Sequence, residues 1–142
     1  MSGSGATTVS QLDRRVRILI VDDHPIIRRV VRSTLQRHPH FDVCGEAVNG
    51  AEAIAEAKKL KPDVVVLNVS MPVMNGLDAA REIKMILPES AIVILSQNAD
   101  RHFIAEAKSL GVQAYVVKTK AGESLVKAVE GAVLGEDFFF IE

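Results

Sequence analysis

A small set of polar residues in this chain could hold a hard cation and a phosphoryl group at one place: the adjacent carboxylates Asp22 and Asp23, the amide Asn68, the hydroxyl Ser96 and the ammonium Lys118. Paired carboxylates opposite an oxygen-bearing side chain suit Mg²⁺, which takes oxygen ligands, keeps several waters and needs few protein groups. A hydroxyl and an ammonium at the rim complement phosphoryl oxygens. Each residue also has a plainer use. The two acids could interact with the macrodipole of a helix opening at Pro25, Ser96 could be a turn hydroxyl, and Lys118 a solvated surface cation. What sets them apart is placement, because each directly follows a short apolar run.

Those runs are Val16–Val21 (VRILIV), Phe41–Glu46, Asp63–Leu67 (DVVVL), Ala91–Leu95 (AIVIL) and Ala114–Val117 (AYVV). Four of the five are almost continuously apolar, which predicts strands covered on both faces. Between them lie helical patterns. Ile26, Ile27, Val30, Val31, Thr34 and Leu35 form a stripe after Pro25, a residue suited to a first helical position. The second helix is expected over Ala51–Leu60, and the third over Leu77–Leu87, stopped by Pro88. Phe103, Ile104, Ala107 and Leu110 mark a fourth helix, stopped by Gly111, and Leu125, Val126, Val129, Ala132 and Val133 a fifth. Strict alternation implies an α/β fold with a mainly parallel sheet wrapped on both faces. Sites in such sheets form at the carboxyl ends of the strands. Asp22 and Asp23 end strand one, Asn68 ends strand three with Ser70 close behind, Ser96 ends strand four and Lys118 strand five.

At 142 residues the chain fits one domain, with residues 1–13 read as a disordered leader or tag and 14–142 as the folded unit. Seventeen basic and 18 acidic residues leave a net charge of -1, which gives no electrostatic case for nucleic acid or membrane as the main partner. The arginine clusters at 14, 15 and 17 and at 28, 29 and 32 read as solvated faces. Cys44 is the only cysteine, so no internal disulfide can form, and its apolar surroundings suggest a buried small hydrophobe. No apolar run approaches membrane-spanning length, and the default location is cytoplasmic.

The motifs ILIVDDHP, PDVVVLNVSMPVMNG, VILS and YVVK, in this order and spacing, resemble the response-regulator receiver family over nearly the whole chain, from Arg17 to about Phe140. The style is similar to receivers that precede a helix-turn-helix transcription module. The resemblance implies a flavodoxin-like fold with five strands ordered 2-1-3-4-5 and five helices. It implies that Asp23 ligates Mg²⁺, that Asp22 supports the metal and its waters, and that the backbone carbonyl of Ser70 completes the protein ligands beside position 68. Lys118 would pair with the phosphoryl group. Ser96 and Tyr115 would form the family's switch pair, coupling the pocket to the face built from the fourth helix, fifth strand and fifth helix.

At Asn68 the sequence departs from the family, which has its phosphate-accepting aspartate there. An amide nitrogen lone pair is delocalised, so no acyl phosphate forms on it. Loss of the anion also weakens cation binding, by up to on the order of 4 kcal/mol for one charge at about 4 Å before desolvation offsets part of it. The expected function is therefore a non-enzymatic signalling module without aspartyl phosphorylation. Its partners would be a histidine kinase or another signalling protein, and a second copy through the helix-four to helix-five face. Nucleic acid would be reached only through an output domain outside these residues. One alternative is a phospho-silenced variant or fragment of a DNA-binding response regulator, and a lesser one is a small Mg²⁺-dependent phosphohydrolase. Phe138, Phe139 and Phe140 read as a terminal packing anchor.

Overall fold

In the computed structural model, residues 15–97, 100–118, 121–136 and 138–139 are described. The leader expected over residues 1–13 lies outside them. The elements alternate: β1 (Val16–Val21), α1 (Pro25–Gln36), β2 (Phe41–Ala47), α2 (Gly50–Leu60), β3 (Val64–Leu67), α3 (Gly76–Ile86), β4 (Ala91–Ser96), α4 (Arg101–Ser109), β5 (Ala114–Val117), α5 (Ala121–Val133) and β6 (Phe138–Phe139). All strand pairs are parallel, and the five expected strands run in the order 2-1-3-4-5. The fold is flavodoxin-like. Strand six adds to the β5 edge, pairing Phe138 with Ala114 and Phe139 with Tyr115. The aromatic tail therefore begins as a strand, and Phe140 lies outside the described residues.

Strand side chains alternate between two apolar layers. Ile18, Ile20, Val66, Val93, Leu95 and Val116 face Val31 and Leu35 of α1 and Leu125 and Val129 of α5. Leu19, Val65, Leu67, Ile92, Ile94 and Tyr115 face Ala53, Ala57, Ala80, Ile83 and Ile104 of α2, α3 and α4. Burying each Val, Leu or Ile contributes roughly 1.5–3 kcal/mol, which is why these short runs form strands only within this sandwich.

The α1 stripe is narrower than its periodicity suggests. Val31 and Leu35 are buried and Ile27 half-buried, whereas Ile26 is 72% and Val30 53% exposed. Residues 27, 31 and 35 form one line of i, i+4 neighbours facing β2 and α5. Residues 26 and 30 sit about 100° round the helix from that line, turned to solvent. Three helices begin at polar caps: Asn49, Asn75 and Asp100 accept the N–H groups of Glu52, Asp78 and His102. Gly111, at φ +83, supplies the left-handed residue just past α4.

Candidate functional site

In-register pairing of Val21 with Leu67, Leu67 with Ile94, and Ser96 with Val117 brings the carboxyl ends of four strands to one rim. Asp22, Asp23, Asn68, Ser70 and Lys118 meet there. Asp22 and Asn68 are almost wholly buried, at 2% and 4% exposure. Lys118 Nζ lies 2.9 Å from Asp22 Oδ2. The ammonium expected to pair with a phosphoryl group thus holds an acid of the pocket.

The two carboxylates do not cap α1. Its N-cap is His24, without a side-chain capping bond, and no acid lies in its first turn. The Asp22 carboxylate instead accepts the His24 backbone N–H at 2.9 Å, and the His24 ring nitrogen Nδ1 lies 2.9 Å from Asp22 Oδ1 and 3.2 Å from Asp23 Oδ1. Ligand atoms of Asp22, Asp23 and His24 all fall within 4.8 Å of one another. His24 was visible in the DDHP motif but received no role from sequence. Arg28, on the first turns of α1, donates from Nη1 to the Asp22 carbonyl at 2.7 Å and from Nε to Glu46 at 2.9 Å. Part of the supposedly solvated arginine cluster therefore braces the strand end. Burial alone would raise the Glu46 pKa, but the hydrogen bonds from Arg32 and Arg28 outweigh it and hold the carboxyl below its usual range.

Asn68 is anchored by its own backbone N–H, which donates to Val21 O at 3.0 Å. Its side-chain nitrogen Nδ2 donates to Ser70 O at 2.9 Å and to Asp23 Oδ1 at 3.3 Å. The turn that follows is tight. A Cβ on Gly76 would lie 1.9 Å from Asn68 O, so only glycine lets α3 start against the end of β3. Gly50 N donates to Met74 O at 3.0 Å, docking the start of α2 against the same turn. Val73, at the tip, has φ +70 and is 81% exposed, a strained conformation for a β-branched residue. Sequence reasoning missed these supports; the glycine after MPVMN was their one visible signal.

Ser96 and Tyr115 form a second, deeper pair. Both are buried and their side chains are hydrogen-bonded to one another. Burial pushes the Tyr115 hydroxyl above its ordinary range, with the Ser96 bond opposing. Cys44 is only half-buried on β2, and burial pushes its thiol up as well, away from the reactive thiolate.

Chemically, the rim offers oxygen from two carboxylates and the Ser70 carbonyl, as Mg²⁺ requires, but it turns amide N–H groups toward two of those oxygens. Among the groups at the rim, no nucleophile or activating base stands at position 68.

The family model for the response regulator receiver domain matches residues 18–130. LnrK, a transcriptional regulatory protein of Bacillus subtilis, is 38% identical over 114 residues, covering 80% of this chain and 52% of its own length. The response regulator VraR of Staphylococcus aureus is 33% identical over 124 residues, covering 87% and 59%. The chain thus spans between 52% and 59% of the length of these curated relatives. A LuxR-family two-component response regulator from Aurantimonas superposes with a TM-score of 0.84 at 31% identity, covering 87% of this chain and 89% of that one. Receiver domains generally bind Mg²⁺ at an acidic pocket, and the Asp22, Asp23 and His24 cluster is such a pocket. With an α/β sheet in receiver order, acids at the rim, and relatives of this kind over most of its length, the chain belongs to the response-regulator receiver family.

Proposed function

We propose that this receiver domain signals through protein contacts alone, because Asn68 stands at its phosphoacceptor position and forms no acyl phosphate. One observation carries the reading: the buried side chain at the end of β3, beside Asp23 and the Ser70 carbonyl, is an amide. Phosphoryl transfer needs a carboxylate oxygen there to attack phosphorus and expel the leaving group. The amide has no free electron pair on nitrogen, and its oxygen is a poor nucleophile.

In this reading Asp22, Asp23 and Ser70 are the remnant of the Mg²⁺ site, with affinity weakened by the missing charge at Asn68. Ser96 and Tyr115 are the switch pair and connect the rim to α4, β5 and α5. Tyr115 already lies fully inward against Ser96, an arrangement that supports an output face held in one state without phosphate. That face is where a second copy or a signalling partner, including a histidine kinase, would dock. The domain works as a cytoplasmic, non-enzymatic module. A phosphohydrolase would need an activated water or nucleophile, and Asn68 supplies neither.

The partial span of the curated relatives favours one further reading: in a longer protein this domain would control a DNA-binding output module, which alone would touch nucleic acid. The test is incubation with acetyl phosphate and Mg²⁺, followed by intact-mass analysis. The expected result is no phosphoryl adduct on the wild type and an adduct labile to acid, base and hydroxylamine on Asn68→Asp. An adduct of that lability on the wild type would refute the proposal.

A further inference from the structure

We infer that the Asn68 side-chain amide takes the place of a bound cation, so that this rim of the sheet completes itself from its own donors. The inference rests on the reading of Asn68 as the phosphoacceptor position and adds what the amide does there. Its Nδ2 contacts two acceptors, Ser70 O at 2.9 Å and Asp23 Oδ1 at 3.3 Å. A backbone carbonyl and an ionised carboxylate can only accept, so the amide must turn its nitrogen, not its oxygen, toward them. These are two of the oxygens that the rim would offer to Mg²⁺. An NH₂ group has two donors and a partial positive charge, enough to satisfy one oxygen with each N–H.

Both oxygens of the Asp22 carboxylate are also answered by the protein, and the Asp23 oxygen that Asn68 meets has a second neighbour. Lys118 holds Asp22 Oδ2, and the His24 ring nitrogen lies against Asp22 Oδ1 and Asp23 Oδ1. Among the described residues, no buried side-chain nitrogen or oxygen lacks a hydrogen-bond partner. A cation entering this pocket must break both bonds of Asn68 and turn the amide over, and it then meets two carboxylates where an aspartate would provide a third. A carboxylate at 68 has the opposite effect. Without a cation it faces Asp23 Oδ1 and Ser70 O as a third acceptor, leaving like charges close together in a buried site.

The test is thermal unfolding of the full chain as wild type, Asn68→Asp and Asn68→Ala, in rising MgCl₂ against NaCl of equal ionic strength, with Mg²⁺ affinity from calorimetric titration. The wild type is expected to keep one Tm throughout. Asn68→Asp should melt lower without Mg²⁺, recover by about 5 °C or more at saturation, and bind Mg²⁺ at least about ten-fold tighter than wild type. Asn68→Ala should melt below wild type in the absence of Mg²⁺, because Asp23 and Ser70 lose their donors. A Mg²⁺-dependent rise in the wild type equal to that of Asn68→Asp would overturn the inference, as would an Asn68→Ala protein as stable as wild type without cation. If Asn68→Ala does not fold, the wild type and Asn68→Asp decide it. Acetyl-phosphate labelling separates the two levels: tight Mg²⁺ binding by an unlabelled wild type defeats only the amide's cation role, whereas a labelled wild type defeats the underlying reading.

Discussion

The two rims of the sheet use polar residues in opposite ways. At the amino ends of the strands, polar side chains fasten main chain. Asp63 accepts the Arg17 backbone N–H at 2.8 Å, Gln113 accepts that of Ile92 at 2.8 Å, and the Ser90 hydroxyl donates to Pro62 O at 2.5 Å. Each has an evident structural use, since an unpaired backbone group in a sheet margin is costly. At the carboxyl ends, Asp22, Asp23, His24, Asn68 and Lys118 chiefly contact one another. Side chain–side chain bonds are the minority class in folded proteins, and concentrating charge this way stabilises little. The lesson is that a strand-end polar residue suggests function when its partners are other side chains.

Breaking the carboxyl rim should have the largest effect. Gly76→Ala forces a Cβ into the Asn68 carbonyl, and urea unfolding should show a loss of about 3 kcal/mol. A loss below about 0.5 kcal/mol would mean that the turn yields easily and does not set Asn68. At the amino rim, Asp63→Ala should cost about 1 to 2 kcal/mol by orphaning the Arg17 N–H. It should leave the NMR signals of Asn68 and Tyr115 unmoved; large shifts there would erase the distinction between the rims. Val73→Gly should stabilise the chain by up to about 1 kcal/mol by relieving the left-handed valine, measured the same way. No gain would mean that the valine conformation is not strained.

The smallest effect sharpens the contrast rather than breaking it. Tyr115 is the only tyrosine and there is no tryptophan, so tyrosinate absorbance reports on one residue. Burial, opposed by the Ser96 bond, raises its folded pKa above the unfolded value near 10.0. Its contribution to stability is therefore fully present below about pH 10 and lost as pH rises through the folded value. The absorbance midpoint should lie above 10 and fall on unfolding in urea. A midpoint at the unfolded value would place Tyr115 in water.

Much of this was legible in sequence for a simple reason. β-Branched runs covered on both faces can only be inner strands, and parallel inner strands must bring Asp22, Asn68, Ser96 and Lys118 to one rim. Partner choice within the rim was not legible. Lys118 pairing with Asp22, and His24 lying against both acids, depend on distances of about an ångström that no residue spacing encodes. The exposure of Ile26 and Val30 was hidden because periodicity marks an apolar arc without saying how much of it the neighbours cover. Strand six escaped because two phenylalanines are too short a run to distinguish a strand from a packing anchor.

The most direct test is NMR of the Asn68 side-chain NH₂ during a Mg²⁺ titration. Two resolved, slowly exchanging amide protons, unmoved by millimolar Mg²⁺, are expected if they bond Asp23 and Ser70. Rapid exchange, or a saturable shift of that NH₂ with added Mg²⁺, would contradict it.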